Sequence, residues 1–95
     1  MRELTISSGD MDSYLKELES FLDDPSSKRI VLMAHAKAIR MLVDVVLAFR
    51  DNNPKLVRID DISIGTVRSL TMQRDRPKNV SFMKIVVTKH ERLKE

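Results

Sequence analysis

Basic side chains dominate the polar stretch that lies between two apolar, strand-like segments near the C-terminal end of the chain. This stretch spans residues 68–79, and its four cations, set against one acid, are Arg68, Arg74, Arg76 and Lys78. A hairpin connection usually takes two to five residues, so about ten residues here predict an arm. Guanidinium and ammonium groups on an arm suit phosphate contacts and insertion into a minor groove. The alternative is a solvated loop with incidental arginines.

A second pair of cations, Lys37 and Arg40, lies in the first turns of a predicted helix, residues 36–50. Cations at a helix start oppose the helix dipole, whereas the free backbone N–H groups there attract anions. Cations in this position therefore indicate a phosphate site. For Arg40 the alternative is an ion pair with Asp44, four residues further on.

Side chains for catalysis or metal binding are scarce. The sequence has no cysteine and only two glycines, which excludes thiol chemistry and a Gly-rich phosphate loop. We interpret His35 as a structural residue at the end of a buried strand and His90 as solvated, since neither has a second metal ligand at a suitable spacing. Tyr14 and Phe21 fit a helix's apolar stripe rather than a base-stacking platform. We expect a protein that is not an enzyme and holds no metal or cofactor.

Length, composition and charge indicate one small folded domain, residues 1–95, with 42% hydrophobic and 33% charged residues. No apolar run reaches the roughly 18–20 residues of a membrane span, and no secretory signal is visible, so we expect a cytoplasmic protein without a membrane partner. Residues 1–27 hold two bases and seven acids, a net charge of −5, whereas residues 28–95 hold fifteen bases and seven acids, +8. This asymmetry favours a polyanionic partner. Ordinary solubility charge is the alternative.

Four strands are predicted from apolar patterning. Residues 4–6 alternate as a short strand, and residues 30–34 form the continuous apolar run of an interior strand covered on both faces. Residues 56–67 and 80–89 form the last two strands. In residues 56–67 the apolar side chains alternate at odd positions, Val57 and Ile59, and then at even positions, Ile62 and Ile64. This change predicts a bulge at residues 60–61, which would keep all four side chains on one face.

Two helices separate the strands, which gives the order βαβαββ. The first follows Asp10, a suitable N-cap, and its apolar side chains recur at helical spacing: Met11, Tyr14, Leu15, Leu18, Phe21 and Leu22. The second helix is apolar on almost every side. We expect one flank to face the sheet, through Ile39, Leu42, Val43 and Val46. A second apolar flank of the helix holds Ala38, Met41, Val45 and Phe49, and one small sheet cannot cover both flanks. We therefore predict a homodimer. Its interface residues would be Met41, Val45 and Phe49.

Three further segments are distinctive: residues 36–44 (AKAIRMLVD), 59–66 (IDDISIGT) and 79–85 (NVSFMKI). Together they resemble the Alba family of archaeal chromatin proteins, which has relatives in RNase P-type complexes. The resemblance covers nearly the whole chain. It implies an α+β fold, a βαβαββ two-layer sandwich whose four-stranded mixed sheet carries both helices on one face. The C-terminal domain of translation initiation factor 3 has a similar fold.

The resemblance also implies a function, namely sequence-nonspecific binding of double-stranded DNA, and often RNA, by a nucleoid-associated dimer. In such a dimer two long hairpins reach along the minor grooves. Lys37 and Arg40 match the family's basic helix start, and the matching hairpin arm carries Arg68, Arg74, Arg76 and Lys78.

This chain departs from the family's pattern at two contact clusters. Family members usually have a lysine pair and a proline before the first helix, where this chain has Ser8, Gly9 and Asp10. They favour an Arg-Gly pair before the second helix, where this chain has His35 and Ala36. We therefore expect weaker nucleic-acid binding than is typical of the family. The alternative function is that of an interaction subunit that forms a heterodimer with a basic Alba paralogue and offers its acidic first helix to other proteins.

Overall fold

The computed structural model describes residues 2–7, 9–69 and 78–90. A short 3₁₀ turn, Ala36–Ala38, precedes the second helix. The other elements are β1 (Arg2–Ile6), α1 (Met11–Asp23), β2 (Arg29–His35), α2 (Ile39–Asn52), β3 (Val57–Ser69) and β4 (Lys78–Lys89). The predicted order βαβαββ is confirmed.

The four strands form one mixed sheet in the order β1-β2-β4-β3. β1 is parallel to β2, whereas β4 is antiparallel to both β2 and β3. The register aligns Leu4 with Leu32, and Leu32 with Ile85, so apolar side chains of three strands share one face. This confirms the predicted α+β class with a four-stranded mixed sheet.

Burial along β2 shows that the helices cover one face of the sheet. Ile30, Leu32 and Ala34 are buried in the core, whereas Val31 and Met33, which point to the other face, are only partly buried. Strand β2 is interior, as predicted, but the expectation that it is covered on both faces is wrong. Its open-face side chains are shielded by their neighbours on adjacent strands rather than by a second layer.

Both helices pack on this face and share a single core with it. Helix α1 buries Leu18 and Phe21. Helix α2 buries Leu42, Val45, Val46 and Phe49, the i, i+3, i+4, i+7 spacing of a core-facing stripe. No helix in the described part of the chain is long and apolar enough to cross a membrane.

This packing corrects the predicted exposed flank of α2. Val45 and Phe49 are 0% and 1% exposed in the single chain, so they do not form an uncovered surface. Because α2 is apolar on almost every side, its sequence did not reveal which side of the helix packs against the sheet. Ile39 and Val43, expected to face the sheet, are only partly buried. Met41 is also partly buried, and its place at an interface stays a prediction.

A β-bulge divides β3, as predicted, because the pairing with β4 shifts between Ile59 and Asp61. The bulge keeps the apolar side chains before and after it on the helix-bearing face, although their sequence phase changes. The helices nevertheless bury the side chains of β3 only before the bulge. Val57 is 2% exposed, whereas Ile62 is 55% and Ile64 is 75% exposed. Beyond the bulge the β3–β4 hairpin therefore extends past the helical layer.

Candidate nucleic-acid interface

A groove of about 550 Å³ lies at the end of β2, where the chain turns into α2. Ser7 and Gly9 line it from the β1–α1 connection, His35 from the end of β2, and Lys37 and Met41 from the start of the helical segment. The groove therefore brings Lys37 beside the β1–α1 connection, the segment in which the resemblance to the Alba family implies a lysine pair.

The sharp turn at Ala36 directs Lys37 outward. Ala36 has a φ of 51°, in the left-handed region that favours glycine. The next residues form the 3₁₀ turn, in which the Ile39 N–H donates to the Ala36 carbonyl. Lys37 therefore lies in this turn rather than in the α-helix that the sequence predicted, and its side chain is exposed.

Arg40 is exposed in the first turn of α2, and the predicted ion pair with Asp44 is absent. Within residues 2–7, 9–69 and 78–90, the ion pairs are Arg2–Asp24, Arg50–Asp51 and Arg58–Asp60. Neither Lys37 nor Arg40 pairs with a described carboxylate, and both can therefore bind a phosphate without first releasing such a partner.

The β1–α1 connection is held by Tyr14, whose hydroxyl accepts a hydrogen bond from the Ser7 N–H at 3.0 Å. Gly9 has a φ of 136°, and Asp10 occupies the N-cap position of α1 in an extended conformation. The Asp10 carboxylate makes no capping hydrogen bond and is exposed. The capping position is confirmed, whereas the side-chain cap is not formed. The described part of this connection adds a negative charge where Alba proteins place cations.

The basic arm begins as a paired extension of the sheet. Strands β3 and β4 remain in register as far as Arg68 opposite Asn79 and Ser69 opposite Lys78. Arg68 and Lys78 therefore lie on the two strands, at the base of the arm. The other two predicted arm residues, Arg74 and Arg76, lie outside the described residues.

Close packing of Phe82 against Gly65 fixes the outer part of the hairpin. A Cβ atom on Gly65 would lie 2.8 Å from the Phe82 ring, so this position requires glycine unless the ring moves. On the other side of Phe82 lies His35, whose ring centroid is 6.1 Å away. His35 is exposed rather than part of the buried end of β2. The sequence analysis did not predict this contact, because Gly65 and Phe82 lie on separate strands and meet only through the β3–β4 register.

The structure gathers a second basic cluster that the sequence pattern did not indicate. The sheet register places Arg29 and Arg58 on either side of Thr88. These two strand positions are far apart in sequence, so only the pairing of β2, β4 and β3 brings them together. Among the described residues, no group of three or more histidine or acidic side chains could hold a metal ion.

Solved structures show which known fold this arrangement matches. Alba from Thermoplasma volcanium superposes with a TM-score of 0.80 at 20% identity, over 92% of this chain and 99% of that one. ALBA1 from Trypanosoma brucei superposes with a TM-score of 0.72 at 21% identity, over 93% of this chain and 68% of that one. No protein-family model and no curated protein matches the sequence. The structural likenesses confirm the resemblance at the level of the fold: the chain has the Alba fold.

Proposed function

We propose that this chain is a divergent Alba-type protein that binds double-stranded DNA or RNA without sequence specificity, as a dimer, in chromatin architecture or RNA handling. One observation carries the proposal: a long hairpin continues past the helical layer as far as Ser69 opposite Lys78, where the described strands enter the basic stretch of the sequence, residues 68–79. A two-stranded arm of this kind is suited to lie along a groove, where its cations neutralise phosphates.

Two groups of cations carry the proposed binding. The arm contributes Arg68, Arg74, Arg76 and Lys78. The groove at the start of α2 contributes Lys37 and Arg40, which are exposed and unpaired with any described carboxylate. These side chains would contact phosphates and sense groove shape, which explains binding without base readout.

The number of contacts sets how strongly binding depends on salt. About four or five contacts per protomer give roughly eight to ten per dimer, and affinity then falls about 10³–10⁵-fold between 50 and 200 mM salt. Asp10 replaces a cation of the family pattern, and its exposed carboxylate repels phosphate. Binding should therefore be clear at low salt and weak at 150 mM.

Fluorescence anisotropy with labelled duplex DNA and duplex RNA, titrated at several salt concentrations, tests this proposal. We expect a steep linear fall of log affinity with log salt. The charge reversal Arg74→Glu/Arg76→Glu should abolish binding. The matched control, Arg50→Glu/Lys55→Glu, makes the same charge change at the opposite end of α2 and should retain most of it. Full affinity in the arm variant would disprove the role of the arm.

Dimerisation is proposed through the helix-bearing face of the outer hairpin. Ile62 and Ile64 are large, branched and mostly exposed in the single chain, as is typical of residues that a partner covers. Light scattering after gel filtration should show a dimer. Ile64→Glu should give a monomer, whereas Ser63→Glu, on the opposite face of the same strand, should remain dimeric. A dimeric Ile64→Glu variant would place the interface elsewhere.

A second candidate function is that of an interaction subunit. The observation that favours it is the acidic surface of the first helical segment, where Asp10, Asp12, Glu17 and Glu19 are exposed. A subunit of this kind would pair with a basic Alba paralogue and present this surface to another protein. Mixing with a basic Alba protein and measuring the equilibrium fraction of mixed dimers tests it. Preferential mixed dimers support this function, whereas a statistical mixture or homodimers alone contradict it.

A further inference from the structure

Thr88 lies at the centre of a basic row on the open face of the sheet. In the β2–β4 pairing Thr88 is opposite Arg29, and in the β3–β4 pairing it is opposite Arg58. Neighbouring strands are about 4.8 Å apart, so the two arginines flank the threonine at close range. The side chains that pack in the core, such as Ile30 and Val87, point to the other face.

A cavity of about 400 Å³ opens at this row. It is lined by Thr88 and by four cations, the two arginines together with Lys28 and Lys89. The Lys89 N–H donates to the Lys28 carbonyl at 3.0 Å, which holds the ends of these strands together. Among the described residues, no carboxylate lines the cavity, so all the charges on this part of its wall are positive.

The Thr88 hydroxyl lacks a partner that could accept its hydrogen bond. Thr88 is only 9% exposed, and among the described residues its Oγ1 makes no hydrogen bond. Lysine and arginine side chains have donors and no acceptor, so none of the four cations can accept from it. A buried hydroxyl without a partner is costly. The side chains of the four cations therefore offer hydrogen-bond donors from several directions and no acceptor for the Thr88 hydroxyl.

The cations differ in how firmly they are held. Lys28 and Arg29 are exposed, and no described carboxylate pairs with either. Arg58 is 3.7 Å from Asp60 in an exposed pair of the kind that contributes little stability. Lys89 is fixed, because its Nζ donates to the Asp24 carbonyl at 2.7 Å and lies 4.7 Å from the Phe21 ring centroid. Lys89 therefore adds positive charge to the cavity, and the three exposed cations supply the contacts to a ligand.

We propose that this cavity is a binding site for a phosphate-type oxyanion. The anion would accept hydrogen bonds from the guanidinium groups of Arg29 and Arg58 and, after these exposed side chains rotate, from the Thr88 hydroxyl. Either an inorganic phosphate or phosphate ester, or a backbone phosphate of a nucleic acid, has this chemistry. The site lies at the opposite end of β2 from the Lys37 groove, about 20 Å away by strand length. It is separate from the proposed arm contacts.

Thermal unfolding of the full chain in millimolar inorganic phosphate, at constant pH and ionic strength, tests the site. We expect a saturable rise in Tm, because a ligand of the folded state stabilises it. Thr88→Val keeps the side-chain shape and removes the hydroxyl. This variant should be at least as stable without phosphate and should lose the phosphate-dependent rise. Arg29→Gln should also lose it, whereas the control Arg50→Gln should keep it.

Phosphate can also stabilise proteins by exclusion from their surface. A rise of that origin does not saturate and persists in every variant. Such a result would overturn the proposal, as would a saturable rise that survives in Thr88→Val and Arg29→Gln. Repeating the titration in Arg74→Glu/Arg76→Glu separates this site from the arm, since phosphate should still bind when the arm contacts are lost.

The source of the phosphate is identified by amide NMR shifts at Thr88 and Arg29. Shifts with inorganic phosphate that saturate, and that Thr88→Val removes, assign the site to a free phosphate or ester. Shifts that require duplex DNA and disappear in Thr88→Val assign it to a backbone phosphate. If neither probe shifts these amides, the cavity does not bind phosphate and the proposal is wrong.

Discussion

The two halves of strand β3, before and after its bulge, have the same ladder with β4 and the same alternation, yet only one half is covered. In the inner half, Val57 is buried beneath the helices. In the outer half, beyond the bulge, Ile62 and Ile64 lie on the same face and are mostly exposed. Alternation in the sequence therefore reports the face of a side chain, and a separate layer decides whether that face is buried.

The sheet itself narrows along the hairpin. Strand β2 pairs with β4 as far as His35 opposite Phe82, and at Ala36 the chain turns away from the sheet. From there the hairpin continues as two strands alone. An isolated two-stranded hairpin is marginally stable in water, so the part of the hairpin beyond Gly65 and Phe82 is less strongly supported than the part in which β4 also pairs with β2.

Truncation to alanine should show the largest difference between the halves. Val57→Ala removes a buried side chain before the bulge and should lower the free energy of unfolding by about 1–3 kcal/mol. Ile64→Ala removes an exposed one and should change it by less than about 0.5 kcal/mol. Chemical denaturation at a concentration where the chain is monomeric measures both. Equal losses would mean that the outer half is covered within one chain.

One position in the outer half is nevertheless tightly packed. Gly65→Ala would place a Cβ atom 2.8 Å from the Phe82 ring, and overpacking of this kind costs about 1–3 kcal/mol. Phe82→Leu should recover part of that loss, because the smaller side chain leaves room for the methyl group. A double-mutant cycle by denaturant unfolding measures this coupling. Ser63→Ala, an exposed change on the same face of the strand, serves as the control and should be nearly neutral.

The strands, the bulge and the first helix could be predicted from the sequence because apolar periodicity determines them directly. The bulge is the clearest case, since the phase change between Ile59 and Ile62 has no other simple explanation in a continuous strand. The orientation of α2 could not be predicted in the same way. Its apolar residues surround the helix, so Val45 and Phe49 were placed on the wrong flank.

The candidate site could be predicted only in part. The cations Lys37 and Arg40 were found because charge at a helix start is unusual, and both are exposed in the structure. The row of Arg29, Thr88 and Arg58 was missed because three separate strands contribute to it. Sequence spacing carries no information on such a row until the strand order and register are known.

A smaller effect on the free energy of unfolding is expected at Ala36, where β2 ends and the chain leaves the sheet. Ala36 adopts a φ of 51°, which costs an L-residue about 1–2 kcal/mol. Glycine avoids this strain but loses more backbone entropy on folding, so Ala36→Gly should raise the free energy of unfolding by about 0.5–1 kcal/mol. Denaturant unfolding measures the gain. Ala38→Gly, in the same turn without a positive φ, should destabilise, and a gain in both variants would show that backbone strain at Ala36 is not the cause.

The stability of the turn between α1 and β2, which contains Asp24, should depend on pH. Hydrogen bonds from the Ser26 hydroxyl, the Ser26 N–H and the Ser27 hydroxyl, with a smaller effect of Arg2, lower the pKa of Asp24 from 3.8 to about 2. Because the folded-state pKa is the lower one, the stabilisation is complete above the unfolded-state value and is lost as pH falls through about 2. The Asp24 backbone also accepts from Lys89, at the end of β4.

The Tm difference between the wild type and Asp24→Asn should therefore be largest above pH 5 and shrink steadily toward pH 2. Thermal unfolding across this range measures it, with Asp23→Asn, the exposed neighbour, as the control for general charge effects. A constant difference would mean that the serine hydrogen bonds do not favour the ionised carboxylate. A shrinking difference would show that the ionised carboxylate stabilises the turn between α1 and β2 through its serine hydrogen bonds.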